Sequence, residues 1–119
     1  MSHARGLAGE EVAARWLAEA GLPVVARRFR ARCGEIDLVA RDGATVVFVE
    51  VKLRSRDDFG RPCEAVTPVK QRRLANTAAL FLLRAGWTDR PCRFDVIEVR
   101  ADAAGWRVTH IADAFRPRD

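Results

Sequence analysis

Three charged residues in the middle of the chain have the types and spacing that metal-dependent hydrolysis requires: Asp37, Glu50 and Lys52. They lie in two apolar runs, and Asp42-Gly43 between these runs is a strong hairpin signal. A hairpin that turns there pairs Asp37 with Phe48. The three charged residues then share one face, because side chains alternate along a strand. Asp37 and Glu50 become diagonal neighbours, about 7–8 Å apart at their Cα atoms.

Carboxylates gathered at one end of a sheet repel one another, and a divalent cation would relieve that repulsion. Hard carboxylate oxygens suit Mg²⁺ or Mn²⁺. Such an ion lowers the pKa of a bound water and stabilises charge on a phosphoryl oxygen. A nearby lysine can orient the water or neutralise the developing charge. The alternative is an exposed sheet face with surface ion pairs, each of which contributes little to stability.

The opposite face of the predicted hairpin is apolar and is expected to form core beneath a helix. Its members are Ile36, Leu38, Ala40, Val47, Val49, Val51 and Leu53.

The elements that position these residues follow from hydrophobic periodicity and from capping signals. Helices are predicted over residues 5–20, ended by Gly21 and Pro23, and from Thr67-Pro68 to Gly86. Strands are predicted over residues 24–30, 35–41, 44–53, 92–100 and 106–112. The order α-β-β-β-α-β-β implies an α/β fold, with one mixed sheet flanked by helices, in a single domain over residues 1–119.

The net charge of +5 is concentrated in the middle of the chain. Residues 27–73 contain twelve basic and seven acidic residues, which accounts for the whole excess. A local basic excess favours a polyanion partner, and the alternative is a solvated basic surface. Cations around the acidic hairpin would hold DNA phosphates without reading bases. The predicted nucleic-acid-binding residues are Arg27, Arg28, Arg30, Arg32, Arg54 and Arg56, with Lys70 and Arg73 in the second helix.

Several classes of protein are disfavoured by the sequence. No apolar run approaches the roughly 18 residues of a membrane helix, and the first residues lack the apolar stretch of a signal peptide. Three widely spaced cysteines fit reduced thiols in a cytoplasmic protein. With two histidines a histidine metal cluster is excluded, and His110 is predicted to be structural. Phosphate-binding glycine motifs of nucleotide hydrolases and dinucleotide enzymes do not occur.

Two segments resemble the D…ExK core of the PD-(D/E)XK nuclease superfamily: Gly34-Glu35-Ile36-Asp37-Leu38-Val39 and Val47-Phe48-Val49-Glu50-Val51-Lys52. Nearly the whole chain resembles the YraN-like family of small bacterial proteins. The other matching positions are Gly9-Glu10, Phe59-Gly60, Lys70, Arg93-Phe94-Asp95-Val96-Ile97 and Ala114-Phe115. The resemblance implies a restriction-endonuclease-like fold with an α-β-β-β-α-β core, which archaeal Holliday-junction resolvases share.

The resemblance also implies roles for individual residues. Asp37 and Glu50 would be metal ligands, and Lys52 would be the catalytic lysine. Glu10 matches an acidic residue of the first helix that approaches the metal in the resolvases, and its alternative is a solvent-facing helix residue. Glu35, on the same face as Asp37, is a second choice as a site residue.

Two functions from different classes remain open on the sequence. The first is an Mg²⁺- or Mn²⁺-dependent endonuclease that hydrolyses phosphodiester bonds in DNA, with branched or junction DNA suggested by the resolvase likeness. The second is a non-catalytic nucleic-acid-binding or protein-interaction module on a nuclease-like scaffold. An enzyme that cuts both strands needs two sites, so a homodimer is a further expectation.

Overall fold

A computed structural model describes residues 3–54 and 66–117 of the chain. Two helices and five strands alternate in the order predicted from the sequence. The elements are α1 (His3–Glu19), β1 (Val24–Ala31), β2 (Gly34–Asp42), β3 (Thr45–Arg54), α2 (Pro68–Ala85), β4 (Cys92–Asp102) and β5 (Gly105–Phe115).

The five strands form one mixed sheet in the spatial order β1-β2-β3-β4-β5. The β3–β4 pair is parallel and the other three pairs are antiparallel. A parallel pair needs a crossover connection, and α2 lies in the connection between β3 and β4. The predicted α/β class and its α-β-β-β-α-β core are therefore confirmed. Neither described helix is long and apolar enough to cross a lipid bilayer.

Local sequence signals set the bounds of both helices. Thr67 caps α2, because its side chain accepts a hydrogen bond from the Lys70 amide at 3.2 Å. Pro68 occupies the first turn, and Gly86 ends the helix with a φ of 75°. Gly21 ends α1 in the same way, with a φ of 82°.

The sheet is covered by one helix on each face. On one face α1 packs on a cluster that includes Leu38, Ala40, Val47, Val49 and Ile97. On the other face α2 covers a second cluster, which includes Val39, Val46, Phe48, Phe94 and Val96. The alternation along β2 and β3 explains this division, because successive side chains point to opposite faces.

Ile36 is an exception to the predicted faces, because it belongs to the α2 cluster. Its strand partner Phe29 packs in the same cluster. Arg28, just before Phe29, has a φ of 52°, which places a kink in β1 at this point. The alternation read from the sequence assumes a regular β2, and Ile36 and Leu38 depart from it by packing in opposite clusters.

The register of the β2–β3 hairpin differs by two residues from the predicted register. Asp42 pairs with Thr45, so the turn residues are Gly43-Ala44 rather than Asp42-Gly43. Gly43 takes a φ of 60° at the first turn position, and Asp42 stays in the strand with its carboxylate 2.7 Å from Arg93. A shift of two preserves which residues share a face. The paired residues end at Leu38 and Val49, and the same register continued by one residue puts Asp37 opposite Glu50 instead of Phe48.

Candidate functional site

A cavity of about 510 Å³ opens between the charged end of β2 and β3 and the start of α2. Phe48 and Leu74 bury the apolar part of this face, while the residues beyond them toward the strand ends are charged. The polar side chains around the cavity are Glu35, Asp37 and Glu50 from the sheet, with Thr67, Lys70 and Arg73 from the start of α2. The cavity thus has an acidic wall and a basic wall.

Gly34 allows the β1–β2 hairpin to approach α2 closely enough to close one side of this cavity. A Cβ atom added to Gly34 would lie 3.0 Å from Oγ1 of Thr77 and 3.8 Å from the Cβ of Arg73. A side chain here would therefore push the hairpin and the helix apart. The sequence singled out Gly34 only as part of a motif, without this packing role.

Asp37 is the most perturbed carboxyl group of the cavity. Burial raises its pKa to about 7, and the negative charges of Glu50, Glu10 and Glu35 add to the effect. The Val51 amide opposes this shift by donating a hydrogen bond to Oδ2 at 2.8 Å. The surroundings of Asp37 thus disfavour its ionised form, mainly through burial.

Glu50 faces Asp37 across the hairpin and is paired with a cation from the helix. Its Oε1 lies 2.8 Å from Nζ of Lys70, and only 12% of the Glu50 side chain is exposed. Burial by itself lowers the pKa of Lys70, but the hydrogen bond and charge of Glu50 outweigh burial and raise it. This ion pair joins β3 to the first turn of α2. Sequence reasoning missed it because nothing local places Lys70 beside Glu50.

Lys52 follows Glu50 on the same face of β3, where the sequence placed it. Its Cα partner in the neighbouring strand is Glu98. Lys70 lines the cavity, whereas Lys52 does not.

Glu10 projects from α1 and forms an ion pair with Arg28 of β1. Oε2 of Glu10 lies 2.7 Å from Nη2 and 2.9 Å from Nε of Arg28. The carboxylate is close enough to raise the pKa of Asp37, although it does not line the cavity. Glu35 lines the cavity and lies 3.5 Å from Arg30 in an exposed pair.

The predicted nucleic-acid-binding residues divide into two groups. Ion pairs with nearby carboxylates engage most of them: Arg27 with Glu11, Arg28 with Glu10, Arg30 with Glu35, Arg54 with Glu98, and Lys70 with Glu50. Arg32 is exposed at the tip of the β1–β2 hairpin, and Arg73 is exposed at the cavity. Arg56 lies outside the described residues.

The donor set available for a cation consists of two carboxylates. Within residues 3–54 and 66–117 no group of three or more His, Cys, Asp or Glu side chains is placed to hold a metal ion. Asp37 and Glu50 each have one oxygen left after the bonds from Val51 and Lys70. Two carboxylates suit an ion such as Mg²⁺, which usually keeps several waters and takes further oxygens from a phosphate.

A second polar network lies on the α1 side of the sheet, around the fully buried Asp95. Its carboxylate accepts hydrogen bonds from Arg93 at 3.0 Å and from the Asp113 amide at 2.9 Å. His110 Nδ1 accepts from the indole of Trp16 at 3.1 Å, so the proton on Nε2 is donated to Asp95 at 2.8 Å. His110 is thus structural, as predicted.

Trp16 lies at the exposed edge of this network. Its side chain is 39% exposed, because its indole nitrogen reaches across to His110 instead of packing beneath the helix.

The fold and the site together define an α/β protein with a restriction-endonuclease-like core and, beside its central strands, a cavity with an acidic and a basic wall. The model of uncharacterised protein family UPF0102 matches residues 9–99, and the chain belongs to this family, which confirms the YraN-like resemblance. The matched span contains Glu10, Asp37, Glu50 and Lys52.

Similar relatives match over nearly their whole length. A UPF0102 protein of Symbiobacterium thermophilum is 52% identical over 116 residues, which cover 97% of this chain and 98% of the relative. Another, from Beutenbergia cavernae, is 51% identical over 89% of this chain and 91% of its own. One from Geotalea uraniireducens is 43% identical over 92% of this chain and 87% of its own.

Proposed function

We propose that this protein is a divalent-metal-dependent nuclease that hydrolyses phosphodiester bonds of DNA in the cavity between β3 and α2. The observation that carries the proposal is the pairing of Asp37 and Glu50 on one cavity wall with Lys70 and Arg73 on the other. Hydrolysis of a phosphodiester would use both walls. The phosphate oxygens bind cationic side chains, and the metal ion that assists hydrolysis takes carboxylate ligands.

The carboxylates suit a hard divalent cation such as Mg²⁺ or Mn²⁺. Both offer oxygen ligands, and the pKa of Asp37 is raised first by burial and then by the negative charge of Glu50, both of which disfavour the ionised form that a bound cation would stabilise. When bound, such an ion supplies a water of lowered pKa and neutralises charge on the phosphoryl group. Asp37 and Glu50 would hold it, and the Val51 amide keeps the Asp37 carboxylate oriented.

The cations of the site would act on the substrate. Arg73 and the exposed Arg32 bind the DNA backbone and fix its position over the carboxylates. Lys52 orients the attacking water or neutralises the charge that develops on the phosphate. Glu10 supports the acidic wall from α1 while Arg28 holds its carboxylate in place.

Cleavage of labelled linear and branched DNA in Mg²⁺ and Mn²⁺ tests this function. We expect Glu50→Gln and Lys52→Ala to lower the cleavage rate by about a hundredfold or more, as for other positioned electrostatic groups. DNA affinity should largely persist. Glu11→Gln is the matched control, because Glu11 neighbours Glu10 but pairs with Arg27 at the surface. If the wild type cleaves DNA and Glu50→Gln cleaves it at the same rate, the proposal would be contradicted.

A non-catalytic DNA-binding module is the second candidate. The observation that favours it is the Glu50–Lys70 ion pair, which already neutralises one of the two carboxylates. Under this function DNA affinity persists when metal is chelated, falls steeply with salt, and is accompanied by no cleavage of any substrate.

A further inference from the structure

Lys70 occupies a position in α2 that the helix itself disfavours. It lies in the first turn, where the helix dipole is positive, and no acidic residue accompanies it there. Its ammonium group is stabilised instead from the sheet, by Glu50 at 2.8 Å and by the charge of Asp37. The lysine is therefore placed for the cavity rather than for the helix.

The two partners of this ion pair differ in freedom of movement. Glu50 belongs to a central strand and its side chain is 12% exposed, whereas 43% of the Lys70 side chain is exposed on a flexible four-carbon stem. If the pair separates, Lys70 is the group that moves. The cavity beyond it opens toward Arg73, so the ammonium can leave Glu50 without leaving the site.

A divalent cation bound through Glu50 would lie next to this ammonium group. The Lys70 nitrogen is 2.8 Å from Oε1 of Glu50. An ion held by the same carboxylate would therefore lie about 4 Å from the ammonium group, where like charges repel. A DNA phosphate on the basic wall offers Lys70 an alternative anion. Movement of the lysine from carboxylate to phosphate would then free Glu50 for the metal.

We infer that Lys70 and a divalent cation compete for the Glu50 carboxylate, and that a DNA phosphate draws Lys70 away, so that metal and DNA bind cooperatively. This inference rests on the proposed function, because it requires the metal site at Asp37 and Glu50. It makes Lys70 a positioning residue that couples the two ligands.

Calorimetric titration of Mn²⁺ into the DNA-free protein tests the competition. We expect Lys70→Gln to bind Mn²⁺ about tenfold more tightly than wild type, a coupling of ordinary size. Arg73→Gln is the matched control, since it removes one positive charge from the same cavity without touching Glu50, and a gain of only about twofold is expected. Lys70→Arg keeps the charge and should stay near wild type. Thermal unfolding establishes that each variant is folded.

The reciprocal measurement is DNA affinity by fluorescence anisotropy, in EDTA and in Ca²⁺, which also takes oxygen ligands. Ca²⁺ should tighten DNA binding by wild type and Arg73→Gln, and should do so less in Lys70→Gln.

The outcomes separate this inference from the proposed function. Suppose that Glu50→Gln abolishes Mn²⁺ binding but Lys70→Gln binds Mn²⁺ no more tightly than Arg73→Gln does. That result would overturn the competition and still support the metal site. If Glu50→Gln does not weaken Mn²⁺ binding, or if neither the wild type nor any variant binds Mn²⁺, both the competition and the proposed metal site would be overturned. Binding by Lys70→Gln alone would support the competition.

Discussion

At the scale of single residues, Asp37 shows how a candidate site can oppose stability. Its carboxyl group is buried beside Glu50, and only the Val51 amide stabilises the charged form directly. The pKa of about 7 therefore means that ionisation of Asp37 weakens the metal-free fold. A group with this effect is typical of a functional site, where ligands are held ready at the expense of stability.

Because ionisation of Asp37 destabilises the metal-free fold, we expect Asp37→Asn to stabilise the protein in metal-free buffer. Between the ordinary pKa of 3.8 and the folded value of about 7, the folded state retains a proton that the unfolded state loses. The wild type therefore loses stability as the pH rises from about 4 to about 7. At pH 8 the variant should be more stable by roughly 2–4 kcal/mol, from about 1.4 kcal/mol per pKa unit.

Urea unfolding at pH 4 and pH 8 checks this expectation. The advantage of Asp37→Asn should nearly vanish at pH 4, and Asp89→Asn, on an exposed aspartate, should show no such pH dependence. A variant less stable than wild type at pH 8 would show that the ionised carboxylate supports the fold.

The position of Asp37 and Glu50 on one face could be predicted, whereas their partners could not. Alternation along a strand is a local property, so a register error of two residues left the shared face intact. The ion pairs of Glu50 with Lys70 and of Glu10 with Arg28 join separate elements. They depend on how a helix docks on the sheet, and one sequence contains no local signal for that.

At the scale of elements, the basic residues do not all contribute equally to the proposed DNA-binding surface. Strand β1 carries Arg27 and Arg28, but both are held by carboxylates of α1. The hairpin tip after β1 presents Arg32, and the first turns of α2 present Arg73 at the cavity. A count of charges along the chain could not make this distinction.

DNA binding should therefore depend on Arg32 and Arg73 more than on Arg27. Each of Arg32→Gln and Arg73→Gln should weaken binding and lower the slope of log affinity against log salt by about 1. Arg27→Gln removes the same charge but should leave the slope nearly unchanged, because Glu11 already neutralises that arginine. Anisotropy across a salt series measures all three, and equal effects would show that net charge alone governs binding.

At the scale of the whole molecule, the two faces of the sheet differ, because one is closed by packing and the other opens into the cavity. The α1 face is closed by an apolar cluster and by the buried Asp95 network, which ties β4, β5 and α1 together. The α2 face is apolar at one end and opens into the charged cavity at the other. The element order and the two faces followed from periodicity. The Asp95 network did not, since it joins Trp16 to His110 across 94 residues.

The central claim is that Asp37 and Glu50 bind a catalytic divalent ion in this cavity. Anomalous diffraction at the manganese edge, from crystals grown with Mn²⁺ and a short DNA duplex, tests it most directly. We predict one peak about 2 Å from a carboxylate oxygen of each residue, with Lys70 no longer on Glu50. A cavity without a peak at saturating Mn²⁺, or peaks only at surface carboxylates, would contradict the account.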